Sequence, residues 1–202
     1  MVVVAIIAGG GVITLVGTLA AVYMGDWSDE SDSAVAARAA LESVSFGRDS
    51  DLVSKPSSVE STPEVNTHRD GEPIVVPVIE VELATDEEPD RATGYRIAEA
   101  VLGAVHPEFA DSHVRNYDIH LVYGDDSWIG EREKRRIAVT PALADRLGRE
   151  PDFDAAELRR EIESQDDGDD EIPPVAWGEP LKYHQNGAAT TAATTAATTG
   201  TF

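Results

Sequence analysis

The residues of this chain best equipped for chemistry are gathered between positions 106 and 120. The run HPEFADSH holds His106, Glu108, Asp111 and His113, and Tyr117-Asp118-Ile119-His120 follows closely. Imidazole and carboxylate groups hold zinc or another divalent transition metal when three or four converge about 2 Å from one point. His106, Asp111, His113 and His120 are the candidate metal ligands on that basis. Their spacing matches no established metal motif, so convergence has to come from the fold. The structural alternative places His106 against the carbonyl end of its helix and His120 on the outer face of a strand.

A second group is basic. Arg132, Lys134, Arg135 and Arg136 form the cluster REKRR, and on a strand Arg132, Lys134 and Arg136 share one face. Such a face docks phosphate, an anionic lipid headgroup or an acidic partner, with Trp128 nearby as an aromatic anchor. The competing reading is an edge strand protected by charge, which Glu131 and Glu133 favour by interrupting the patch. The acidic run from Asp166 to Glu171 lacks the alternating ligands and terminal glutamate of a calcium loop. No serine sits in a nucleophile elbow, and no glycine pattern cradles phosphate.

Composition narrows the classes further. The chain has 38 acidic against 16 basic residues, a net charge of −22, and no cysteine. Thiolate zinc sites, iron–sulfur clusters and disulfides are excluded. General nucleic-acid binding is disfavoured, because a phosphate backbone needs a concentrated basic face. Carboxylates dispersed along the chain, with lysine only at Lys55, Lys134 and Lys182, fit adaptation to high salt, where repulsion is screened within a few ångströms.

The elements that must carry these groups begin with an apolar run from Val2 to Met24, free of charge. As a helix it spans a hydrocarbon core of about 30 Å, with Tyr23 and Trp27 at the interface. Residues 1–27 are therefore read as a retained single-pass anchor in the cell membrane. Gly10, Thr14, Gly17 and Ala21 form a small-residue stripe on which a second copy can pack as a homodimer. Arg38 and Arg48 follow the run, which places the domain on the cytoplasmic side.

Residues 28–46 read as a juxtamembrane helix with Ala34, Ala37, Leu41 and Val44 on one face. Residues 47–71, rich in serine, proline and acids, read as a disordered linker. The globular domain is expected over 72–165. It opens with a strand, IVVPVIEVEL, in which Pro77 implies an edge or a bulge. A helix capped by Asp90 follows, then strands at about 115–123 and 133–139, a helix starting at Pro141, and a last helix capped by Asp154. The expected fold is α+β, a small three-stranded sheet with helices on one face in β-α-β-β-α-α order. Residues 166–202, acidic and then Ala/Thr-rich, read as a disordered tail.

The reading these features support is a membrane-anchored accessory or assembly protein whose acidic domain binds another protein, with no cofactor. The alternatives are a metal-dependent hydrolytic enzyme centred on His106, His113 and His120, and a tethered anion sensor using the REKRR strand.

Overall fold

The computed structural model describes residues 31–54, 57–124 and 132–183, and the fold is α+β. Helix α1 (Asp32–Leu41) comes first. Strands β1 (Ser58–Ser61), β2 (Glu64–Thr67), β3 (Pro73–Val75) and β4 (Val78–Glu82) follow, then helix α2 (Arg91–Val105). A one-turn 3-10 helix (His106–Phe109) leads into β5 (His113–Val114), β6 (Tyr117–Tyr123) and β7 (Glu133–Val139). Helices α3 (Pro141–Arg149) and α4 (Ala155–Gln165) and strand β8 (Val175–Gly178) are the last elements among the described residues. The larger sheet has the order β1-β4-β6-β7-β8, and the smaller has the order β2-β3-β5. Within the larger sheet β4 runs parallel to β6 and the other neighbours are antiparallel.

The core follows from two periodicities. Alternate residues of a strand face one side, and Ile79, Val81, Ile119, Leu121, Ile137 and Val139 are all fully buried. Against them lies the apolar stripe of α2, including Ile97, Ala98, Val101, Leu102 and Val105. Both long crossover helices start on a side-chain cap: Thr93 N–H donates to Asp90 at 3.0 Å, and Ala156 and Glu157 N–H donate to Asp154. These carboxylates satisfy amide groups that have no partner inside the helix and complement its dipole.

The opposite face of the larger sheet is polar and yet largely covered. Asp118 and Arg136 are buried there and form a two-pronged pair, Nε to Oδ2 at 2.8 Å and Nη2 to Oδ1 at 3.0 Å. Asn116 Nδ2 and the Tyr183 hydroxyl also donate to Asp118, and Arg136 donates to the Asp170 carbonyl. Burial lowers the basicity of Arg136, but Asp118 more than offsets this and the net shift is upward.

Several expectations change. The predicted strand 74–83 is two strands, because Pro77 has no N–H to give and the chain changes sheets there. Val76 N–H instead reaches Pro63 O at 3.0 Å, and Pro77 O accepts from Asp118 N–H at 2.9 Å. There are two sheets where one of three strands was expected. The segment read as a disordered linker, 47–71, supplies β1 and β2 and is pinned by the bidentate Arg96–Asp49 pair at 2.7 and 2.8 Å. Helix α1 is part of the domain: Ala34, Ala37 and Leu41 lie in the common core, and Arg38 donates to Val59 O. Ser31 caps it. Its cap falls four residues after the expected anchor.

The described part of the expected disordered tail, 166–183, is also ordered into the fold. Strand β8 pairs with β7, and the Tyr95 hydroxyl donates to Ala176 O at 3.0 Å inside the core. The expected anchor 1–27, with Tyr23, Trp27 and the stripe Gly10, Thr14, Gly17 and Ala21, lies outside the described residues, as does Trp128. Among the described residues no helix is long and apolar enough to cross a membrane.

Gly94 on α2 marks where the C-terminal segment closes on the core. A methyl group there would lie 2.7 Å from Cζ3 of Trp177 and 3.0 Å from Leu121 Cδ1. Gly94→Ala should therefore push the Trp177 ring outward and destabilise the domain by about 1–3 kcal/mol, the usual range for overpacking. Thermal unfolding followed by tryptophan fluorescence checks this. An unchanged midpoint would show that the Trp177 ring yields without cost.

Candidate metal centre

The smaller sheet exists to bring distant residues to one place. Strands β2 and β3 form a hairpin closed by His68-Arg69-Asp70-Gly71, with Gly71 at φ +94° and its N–H on His68 O at 3.0 Å. Glycine adopts that conformation without the clash a side chain would bring. β3 then pairs in parallel with β5, and Ile74 lies opposite His113. The hairpin turn thus lies beside β5. His68 Nδ1 is 2.9 Å, and His113 Nε2 3.1 Å, from the same oxygen, Asp70 Oδ2. The two imidazoles stack with centroids 3.9 Å apart.

These three residues offer ligand atoms that all lie within 4.8 Å of one another. Around a tetrahedral zinc ion, ligand atoms about 2 Å from the metal stand roughly 3.3 Å from each other. The two separations to Asp70, 2.9 and 3.1 Å, are close to that. Asp70 is held ready for the role: the Glu72 backbone N–H, then His68 and His113, hydrogen-bond its carboxylate and lower its pKa to about 2. Three protein ligands leave a coordination position open, the pattern of reactive and not of purely structural zinc sites.

Two of the three, His68 and His113, line a cleft of about 450 Å³. His68, His113, Ile74 and Val114 form one wall, and the 3-10 helix and α3 form the other through His106, Phe109, Pro141, Asp145 and Arg149. Tyr117 is at the floor. His106 sits between two partners, with Nδ1 2.8 Å from the Tyr117 hydroxyl and Nε2 3.1 Å from Asp145 Oδ1. In the neutral ring that donates from Nε2 to the carboxylate, Nδ1 is the acceptor and the Tyr117 hydroxyl donates to it. Burial, reinforced by Asp145, pushes the Tyr117 pKa well above the ordinary tyrosine value and keeps that hydroxyl protonated.

Of the expected ligands, only His113 belongs to the convergent group. His106 lines the same cleft but is committed to Tyr117 and Asp145. Asp111 is exposed in the turn after the 3-10 helix and does not line the cleft. His120 lies on the polar face of the larger sheet, between Glu80 and Arg136 in register. The cluster His106/His113/His120 therefore does not form. His68 and Asp70 were missed because they fall in the segment read as linker. The signal was available in Asp70-Gly71, a hairpin turn pair, set between EVNT and PIV.

The basic strand is already supplied with carboxylates. Arg132 pairs with Glu82 at 3.1 Å, Lys134 with Glu80 at 2.5 Å and Arg136 with Asp118, all on one face. Arg135 makes a bidentate pair with Glu88 on the other face. Charges matched this way offer an external anion much less than a bare row of cations would.

His120 has its own consequence. Its side chain is 5% exposed, and neither ring nitrogen has a hydrogen-bond partner. Burial lowers its pKa from 6.5; Asp118 and Glu60 oppose the shift, and Lys134 and Arg136 add to it. A histidine held neutral when folded but free to charge when unfolded withdraws stability as pH falls below 6.5, until the folded value is passed. The unfolding midpoint should drop between pH 7 and 5, and His120→Gln should flatten that drop. Equal pH slopes in the two proteins would remove His120 as the cause.

Compared with known proteins, the chain matches no family model, no curated protein and no solved structure. Its function has to be argued from this geometry.

Proposed function

We propose that this protein binds a divalent transition metal of the zinc class through His68, Asp70 and His113, and uses it on a small molecule admitted to the adjoining cleft. The observation that carries the reading is that two imidazoles and a carboxylate, from the β2–β3 turn and from β5, bring their ligand atoms within 4.8 Å of one another. Nitrogen-rich ligation of this kind favours zinc, copper or nickel over magnesium or calcium. The Glu72 N–H on Asp70 Oδ1 orients the carboxylate from outside, as supporting hydrogen bonds do in metal sites. An ion held there supplies Lewis acidity at the cleft, which suits a hydrolytic reaction. The anchor reading of residues 1–27 joins this as a proposal: the cleft would then work close to a membrane surface.

The accessory-protein reading receives less support. Among the described residues the large apolar side chains left exposed are Val35 and Ile172, which do not make a docking face of the size that marks protein interfaces.

Dialysis of the full-length protein against zinc, followed by metal analysis, tests the reading. One equivalent should be retained and should raise the unfolding midpoint, since a ligand that binds only the native state stabilises it. His113→Ala and His68→Ala should each lower zinc affinity at least about tenfold, as loss of an orienting or ligating group does. His120→Gln should leave it unchanged. Zinc retained fully by both alanine variants, or by neither them nor the parent, would refute the assignment.

A further inference from the structure

We infer that the cleft takes a small organic oxyanion, a phosphomonoester or a carboxylate, with Arg149 gripping the anionic group beside the metal ion; this rests on the metal reading above. A chain of net charge −22 repels anions at long range, so a site that admits one has to be cationic locally. This cleft becomes so once the metal is bound: an ion of charge two outweighs the one carboxylate of Asp70, and Arg149 is set against Asp145.

Arg149 is the residue placed for the grip. It is the last residue of α3, its side chain is 76% exposed, and its Nη2 lies 3.0 Å from Asp145 Oδ1. A guanidinium carries five N–H donors in a planar fork, so that contact leaves most of the fork for a ligand. Asp145 Oδ1 also accepts from His106 Nε2. The carboxylate is therefore anchored from the cleft wall and holds Arg149 over the opening. Arg149 stands at the carbonyl end of α3, so the helix dipole gives an anion no help at that point and the side chain has to supply the charge. Ile74, Phe109, Val114 and Pro141 supply apolar lining beside Ser112 and Tyr117, which fits a ligand with an organic body behind its charged group. At about 450 Å³ the cleft is within the range of small-molecule sites.

Asp145 makes the inference testable in both directions. It competes with the incoming anion for Arg149 and repels it, so removing its charge should help binding while removing that of Arg149 should hurt. The full chain is loaded with zinc, free metal is removed, and retained zinc is measured before any ligand is added. Phenylphosphonate and benzoate, which share a ring and differ in the anion, are then titrated calorimetrically at one fixed salt concentration. Binding of either supports the inference, and the tighter one identifies the anionic group. Arg149→Gln, at an exposed position, should weaken it by about tenfold or more, the scale of a lost charge-assisted contact. Asp145→Asn should strengthen it. If zinc is retained but neither probe binds, or binding ignores Arg149→Gln, the oxyanion inference fails and the metal site stands. If zinc is not retained, both fail together.

Discussion

The buried pair between Asp118 and Arg136 is the contact on which the rest of the molecule turns. Two unsolvated charges are costly, and losing either partner strands the other. Here both charges are answered: Arg136, Asn116 and Tyr183 donate to Asp118, while Arg136 also reaches the Asp170 carbonyl. Those partners come from β6, β7, the acidic loop and the C-terminal segment. The pair therefore fixes where the last part of the chain runs, and β8 and Trp177 are delivered to the sheet edge and to Gly94. The neighbouring residue on β6, Tyr117, points its hydroxyl at His106 on the far side. One strand thus carries the polar lock on one face and the floor of the cleft on the other.

The same logic extends along β7. Arg132, Lys134 and Arg136 each meet an acid from β4 or β6, so a ladder of ion pairs crosses the polar face of the sheet. Toward the Arg132 end the pairs are partly exposed and salt screens them strongly; at the Arg136 end they are buried and screening is weak. In a protein with so many uncompensated carboxylates, the basic residues are used where they bind the fold together. A row of cations that looked available to an external anion is instead internal structure.

How much of this the sequence discloses depends on segment length. The strands Tyr117–Tyr123 and Glu133–Val139 and the helix capped by Asp90 carry enough periodic residues to be read directly, and the α+β class follows from them. β1, β2, β3, β5 and β8 have two to four residues each, too few for an alternation to stand out from a polar background. The acidic loop misled for another reason. Asp166, Asp167 and Asp169 each accept a backbone N–H two residues ahead, so acids that suggest disorder by composition form local turns. The metal group shares that blind spot: His113 was visible within its cluster, while His68 and Asp70 sat in a stretch whose composition reads as linker. Only the pairing of Ile74 with His113 brings them together, and register across a parallel pair is not written in either strand alone.

That placement also explains why imidazoles matter in such a chain. Of its five histidines, three line the one cleft. Carboxylates cover the rest of the molecule, but oxygen ligands prefer hard cations and, in concentrated salt, are surrounded by them. Imidazole nitrogen binds sodium, potassium and magnesium poorly and zinc-class ions well. On the proposed reading, a transition metal is selected in this protein by where nitrogen is concentrated, and not by the abundance of negative charge. The hairpin turn that sets His68 against His113 is the device that concentrates it, with a single carboxylate, Asp70, to neutralise the ion without turning the site into one more acidic patch.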